Sequence, residues 1–267
     1  NMPVICVGNI YVGGTGKTPL VREIYNIAKS FGKNPAFIKK KYEYLNDEIS
    51  MLKKTGDTYT DSDRNSSIIH ASSDNKDVAI LDDGFQDFSI KPDFSILCFN
   101  SKQMIGNGFV IPAGPLRESL SAIYRANCVV INGQKNFALE KEIIKRSKDK
   151  KIPIFYSQYK IEEIDKFKNE KITAFAGIGN PSNFFDLLKK NNLNVEKTFS
   201  FPDHHKYSEK EFNKIIENNN SKILTTEKDY CRLTDSQKIY CHYVSLELEI
   251  ENKSEFIKVI KSYLWKN

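Results

Sequence analysis

Apolar residues in this chain gather in short unbroken runs rather than in strict alternation. Pro3-Val4-Ile5-Cys6-Val7, Pro35-Ala36-Phe37-Ile38, Val78-Ala79-Ile80-Leu81, Phe94 to Phe99 and Cys128 to Asn132 each predict a strand buried on both faces. Between the first two, Thr18 to Phe31 reads as a helix with Leu20, Val21, Ile24, Ile27 and Ala28 on one face. A second helical stretch is expected at Ile49 to Lys54. Doubly buried strands separated by helices predict a parallel sheet covered on both sides. A charged helical segment from Lys135 to Lys151 follows, and the strand rhythm then restarts at Ile154 to Tyr159, Ile172 to Ala176, Ile223 to Thr226 and Tyr243 to Leu248. The expectation is therefore α/β throughout, with one parallel-sheet domain over residues 1–150 and a second, smaller α/β domain over 151–267.

Between the first strand and the first helix lies Gly13-Gly14-Thr15-Gly16-Lys17-Thr18. Glycines let the backbone curl so that successive N–H groups face inward, and the helix adds its positive N-terminal end. A lysine here reaches the β- and γ-phosphates of a nucleotide, and the following threonine hydroxyl ligates Mg²⁺. The strict P-loop pattern has a glycine five residues before Gly16, where this chain has Tyr11, so the match is to a variant of the motif. A glycine-rich turn with an ordinary surface lysine is the plain alternative, and the strand-loop-helix context argues against it.

The third apolar run ends in Leu81-Asp82-Asp83-Gly84. A nucleotide-bound Mg²⁺ takes a carboxylate from the end of a neighbouring strand, and two adjacent acids repel unless a cation lies beside them. Asp-Asp-Gly also makes ordinary turns. Either Asp82 or Asp83 could face the metal.

Composition narrows the field further. The chain has 267 residues, 40 Lys+Arg against 34 Asp+Glu and a net charge of +6. The excess is lysine, with arginine only at positions 22, 64, 117, 125, 146 and 232, which does not suit a nucleic-acid face. Five widely spaced cysteines without a CxxC pair read as buried hydrophobes in a reducing compartment rather than disulfides or a zinc site. No apolar run reaches the roughly 20 residues that span a bilayer.

Several blocks in order carry a resemblance. Val7-Gly8-Asn9 leads into the glycine loop and Thr18-Pro19-Leu20, and Leu81 to Gln86 follows. Then come Gly106-Asn107-Gly108 with Pro112-Ala113-Gly114-Pro115-Leu116-Arg117-Glu118, Gly177-Ile178-Gly179-Asn180-Pro181, Phe201-Pro202-Asp203-His204-His205 and Thr226-Glu227-Lys228-Asp229. Together they resemble the tetraacyldisaccharide 4′-kinase (lipid A 4′-kinase) family from Pro3 to about Asp229. The resemblance implies a P-loop NTPase-like domain, a second α/β domain supplying the histidine side of a cleft, and transfer of the ATP γ-phosphate to the 4′-hydroxyl of an acylated glucosamine disaccharide 1-phosphate. ATP and Mg²⁺ are the implied cofactors. The implied place is the cytoplasmic face of the bacterial inner membrane, peripheral or N-terminally anchored.

By that resemblance Gly13, Gly14, Thr15, Gly16, Lys17 and Thr18 hold the nucleotide, and Thr18, Asp82, Asp83 and Glu118 surround the metal. The catalytic base matches Asp47, paired with His204, the first histidine of Asp-His-His, with His205 as the alternative, because a lone carboxylate is a weak base at neutral pH and a neighbour can orient and tune it. A helix N-cap competes for Asp47 and an ordinary turn for His204. Arg117 could pair with a phosphate or with Glu118.

Two departures stand out. The family has an apolar helical region ahead of the first strand, through which it meets the membrane, and this sequence opens at Asn1-Met2. The family's Arg-Gly-Tyr-Gly loop is replaced by Lys39-Lys40-Lys41-Tyr42, and the segment from Ile38 to Asp47 is short enough to suggest missing residues, with Asn46 where the motif has glycine. The lysine run would attract anionic lipid or be a solvated loop. A GTPase-like switch or metallochaperone is the competing function, but its guanine-selecting Asn-Lys-x-Asp motif is approached only by Asn252-Lys253-Ser254-Glu255.

Overall fold

A computed structural model describes residues 2–41, 46–148, 150–217 and 220–264. The expectation of missing residues between Ile38 and Asp47 falls on 42–45, outside the described residues.

In chain order the first elements are β1 (Val4–Gly8), α1 (Lys17–Ser30), β2 (Pro35–Ile38), α2 (Asn46–Thr55), β3 (Thr58–Tyr59), α3 (Arg64–Ser73), β4 (Val78–Asp82) and β5 (Phe94–Asn100). Then come β6 (Cys128–Asn132), α4 (Phe137–Arg146), β7 (Ile154–Ile161), β8 (Lys171–Ala176), α5 (Pro181–Lys190), β9 (Asn194–Ser200) and α6 (Glu209–Ile216). The chain continues through β10 (Lys222–Thr226), α7 (Glu227–Tyr230), α8 (Asp235–Lys238), β11 (His242–Val244), β12 (Leu246–Ile250) and α9 (Lys253–Leu264). The fold class is the α/β expected.

The larger sheet runs β12-β7-β6-β5-β1-β4-β2-β3. Its centre is parallel, with β1 between β4 and β5. Every residue of β1, β2, β4 and β6 is buried, which is why these strands appear in the sequence as unbroken apolar runs. The smaller sheet, β11-β10-β8-β9, is parallel throughout.

Contacts group the chain into two compact units. One contains Asn1–Tyr42, Leu52–Gln158 and Leu248–Asn267, and the other Glu43–Met51 and Tyr159–Glu247. The expected single division near residue 150 contrasts with these interleaved segments. Strand rhythm shows where a sheet resumes, but not which short segment elsewhere joins it.

Two elements differ from expectation. Tyr243 to Leu248 is not one strand: it breaks at Ser245 into β11 of the smaller sheet and β12 of the larger. Strand β9 carries no apolar run because it is an edge strand with mostly exposed side chains.

Candidate functional site

The glycine loop leaves β1 at the carboxyl edge of the larger sheet, where open α/β folds bind ligands. Gly16 precedes α1 with φ 85° and ψ 21°, a left-handed conformation that a side chain would strain. Helix α1 has no side-chain cap and no acid in its first turn, so its leading N–H groups and its dipole are available to an anion. Asn9, fully buried, braces the loop by donating to Thr15 Oγ1 at 3.2 Å and to the Gly13 carbonyl at 3.4 Å.

Tyr11, at the position of the missing glycine, has its own task. It is fully buried, its ring meets Phe99 at 5.8 Å, and its hydroxyl accepts the Asn100 N–H. Its backbone pairs antiparallel with Leu116, while Val12 N donates to Pro115 O at 2.9 Å and Arg117 N to Ile10 O at 2.7 Å. The Pro-Ala-Gly-Pro-Leu-Arg block thus fastens the phosphate loop from the side, and the departure from the strict motif has a structural reason.

Lys17, Thr18, Asp82 and Asp83 meet in this unit. Lys17 Nζ lies 3.6 Å from Asp83 Oδ1, and Thr18 Oγ1 donates to Asp82 Oδ2 at 3.3 Å. Burial pushes the Asp83 carboxyl up, but the Lys17 and Arg117 charges outweigh it and hold it below the usual value. Asp82, 1% exposed, keeps its Oδ1 buried without a hydrogen-bond partner among the described residues. An unsatisfied buried carboxylate oxygen beside a threonine hydroxyl fits a Mg²⁺ that completes its shell with phosphate oxygens and water.

The other two acids of the expected metal set are already engaged. Both oxygens of Asp83 accept from Arg117, at 2.9 and 3.1 Å. Glu118 accepts from Gln86 at 2.9 Å and from Arg125 at 2.8 and 3.0 Å. Arg117 also donates to Gln86 Oε1 at 3.1 Å, so a continuous chain runs Asp83–Arg117–Gln86–Glu118–Arg125. Within the protein Arg117 pairs with Asp83 rather than with Glu118, which it reaches only through Gln86. Among the described residues no group of three or more His, Cys, Asp or Glu converges to hold an ion.

Lys39 corrects an expectation. The Lys39-Lys40-Lys41 run does not reach a lipid surface through Lys39, which is 2% exposed and donates to Asp82 Oδ2 at 2.7 Å. Its place follows from register: β2 pairs with β4 so that Ile38 faces Leu81, and the next residues are Lys39 and Asp82. Removing one member of a buried ion pair leaves the other charge uncompensated, at a cost of about 3–5 kcal/mol. Lys39→Met is therefore expected to lower the denaturation midpoint, whereas Lys41→Met, at an exposed position, leaves it unchanged.

The second unit holds another cluster. Asp47, in the first turn of α2, is 6% exposed, and its Oδ2 lies 3.6 Å from His204 Nδ1, too far for a hydrogen bond. Asp47 Oδ2 instead accepts two bonds from Arg232, from Nε at 2.8 Å and Nη2 at 2.6 Å, while Oδ1 accepts the Glu48 N–H at 2.9 Å. His204 Nε2 sits 3.4 Å from Lys228 Nζ, which also pairs with Glu48 at 3.2 Å. His205 is turned elsewhere: its ring stacks on Phe201 and its Nε2 faces Glu211 at 3.3 Å. Of the two histidines left open by the sequence, His204 is the neighbour of Asp47.

Asp229 anchors this cluster. Fully buried, it accepts from Gly177 N at 3.0 Å, Tyr207 Oη at 2.7 Å, Thr226 Oγ1 at 2.6 Å and Arg232 Nη1 at 3.1 Å. Burial, then the Asp229 charge and hydrogen bond, push the Tyr207 hydroxyl far above its ordinary value. A Cβ on Gly177 would come 2.8 Å from Tyr207 Oη and 3.1 Å from Asp229 Oδ1, which explains the glycine there. Sequence reading missed Arg232. It lies three residues beyond Asp229, and only that spacing, one helical turn from a buried acid, could have pointed to it.

Elsewhere, Lys253 of the Asn252-Lys253-Ser254-Glu255 stretch pairs with Glu23 of α1 at 2.7 Å. None of the five cysteines forms a disulfide among the described residues, and burial pushes the Cys6, Cys98 and Cys241 thiols up to about 12. No helix among the described residues is long and apolar enough to cross a membrane.

Comparison with known proteins agrees in every direction. The tetraacyldisaccharide 4′-kinase of Pelagibacter ubique is 41% identical over 96% of this chain and 83% of its own length. That of Flavobacterium johnsoniae is 33% identical over all of this chain and 88% of its own. The crystal structure of Aquifex aeolicus LpxK in complex with ATP superposes with a TM-score of 0.75 at 25% identity, covering 99% of this chain and 89% of that one. The family model for LpxK, tetraacyldisaccharide-1-P 4′-kinase, matches residues 1–264, and the chain belongs to that family.

Proposed function

We propose that this chain transfers the γ-phosphoryl group of ATP to the 4′-hydroxyl of tetraacyldisaccharide 1-phosphate, giving a 4′-phosphorylated lipid A precursor. The observation that carries this reading is the meeting of Lys17, Thr18, Asp82 and Asp83 beside the glycine loop in a chain of this family.

The N–H groups from Gly13 to Thr18 cradle the phosphates, and Lys17 places its ammonium on the transferring group. Thr18 and Asp82 are the residues that would hold Mg²⁺, with Asp83, Gln86 and Glu118 setting the surrounding charges through Arg117 and Arg125. When bound, the ion neutralises charge on the β- and γ-phosphate oxygens. Asp47 takes the proton of the 4′-hydroxyl, and His204 stands beside it to orient the acceptor. As the sugar oxygen bonds to the γ-phosphorus, the bond to the β,γ-bridging oxygen breaks and its electron pair leaves with ADP.

A substrate with four acyl chains resides in a membrane, so the enzyme meets it at an interface. We place that interface at the inner face of the bacterial inner membrane, where ATP is available. The direct test incubates the protein with γ-labelled ATP, Mg²⁺ and detergent-dispersed disaccharide 1-phosphate. Labelled 4′-phosphorylated lipid is expected; hydrolysis selective for GTP without labelled lipid would instead support the switch-protein reading.

A further inference from the structure

We propose that Arg232 is the positioning residue of the catalytic carboxylate and that it selects Asp47 Oδ1 as the atom that receives the proton. This inference rests on the reading of Asp47 as the base. It comes from counting donors around two buried acids. Asp47 and Asp229 have side chains 3% and 0% exposed, and Arg232, 9% exposed, bridges them. Four of its five N–H groups are directed at these partners: Nε and Nη2 on Asp47 Oδ2, and Nη1 on both the Gly177 carbonyl and Asp229 Oδ1.

A carboxylate oxygen offers two lone-pair directions, and Arg232 occupies both on Oδ2. Among the described residues Oδ1 accepts only the Glu48 N–H, so it keeps one direction open to them. The incoming hydroxyl proton therefore goes to Oδ1. The guanidinium is itself fixed, because Asp229 receives further bonds from Gly177, Tyr207 and Thr226. Its rigid planar fork is what lysine cannot copy: an ammonium could neutralise Asp47 but would not hold Oδ2 from two directions while keeping Asp229 and Gly177 paired. The small sheet thus transmits its order to the base through one side chain.

Steady-state kinetics on the full chain separates this from a merely structural role. Arg232→Met, in protein that melts as the parent does, is expected to lower kcat for disaccharide phosphorylation about 100-fold, the loss typical of a misplaced reacting group, with both KM values nearly unchanged. Arg232→Lys is expected to recover about tenfold of that loss, since charge returns without the fork. It also serves as the informative variant should Arg232→Met fail to fold. The Asp47→Asn/Arg232→Met double variant is expected to be no slower than Asp47→Asn alone, because the two act as one unit. A folded Arg232→Met or Arg232→Lys with parental kcat, alongside an inactive Asp47→Asn, would overturn the positioning role and leave the base standing. An active Asp47→Asn would remove the base itself, and this inference with it.

Discussion

Asp47→Ala is expected to phosphorylate the disaccharide about 10³-fold more slowly than the parent, within the range by which a positioned base accelerates proton transfer. Its affinity for ATP should stay the same, because the nucleotide contacts proposed for Lys17 and Thr18 belong to other elements. A sugar hydroxyl is a poor nucleophile, and phosphoryl transfer gives the protein little else to do than position it, accept its proton and neutralise charge. Removing the carboxylate also leaves Arg232 buried opposite an empty space, so Asp47→Asn, which keeps the shape, is the companion variant. Rates at saturating ATP, together with fluorescent-nucleotide titration, separate the two effects. Parental turnover in Asp47→Asn would mean that the proton leaves by another route.

Lys17→Ala is expected to lower kcat/KM for ATP by about 10²–10³, the loss found when one charged or hydrogen-bonding group is withdrawn from a developing oxyanion. The geometry makes this a loss on the nucleotide side: Lys17 Nζ is anchored 3.6 Å from Asp83, itself held by Arg117, so the ammonium is pre-set rather than recruited. Lys17→Arg should rescue poorly, since a planar guanidinium does not place its charge as a compact ammonium does. The measurement is initial rate against ATP concentration at fixed disaccharide. An unchanged kcat/KM would detach the glycine loop from catalysis.

Much of the molecule is visible in local sequence. The runs at Val4, Val78, Phe94 and Cys128 mark the strands because strands buried on both faces admit no polar alternation. The edge strand β9 left no such mark, since its residues Asn194-Val195-Glu196-Lys197 mostly face solvent. The loop from Gly13 to Thr18 and the acids at 82 and 83 are likewise legible, because backbone curvature and strand ends are properties of a few consecutive residues. The same locality explains the error over Lys39: a run of three lysines looks like solvated charge until one of them proves to be in register with a buried aspartate.

By itself, then, the sequence determined the α/β class, the phosphate loop and the residue types around it. Tertiary structure alone decided the pairings. It assigned Asp82 to Lys39 and Thr18, Asp83 to Lys17 and Arg117, and Asp47 to an arginine 185 positions away. Short-range propensity depends on neighbours along the chain, whereas a buried charge is satisfied by whichever opposite charge the closed fold brings within about 3 Å.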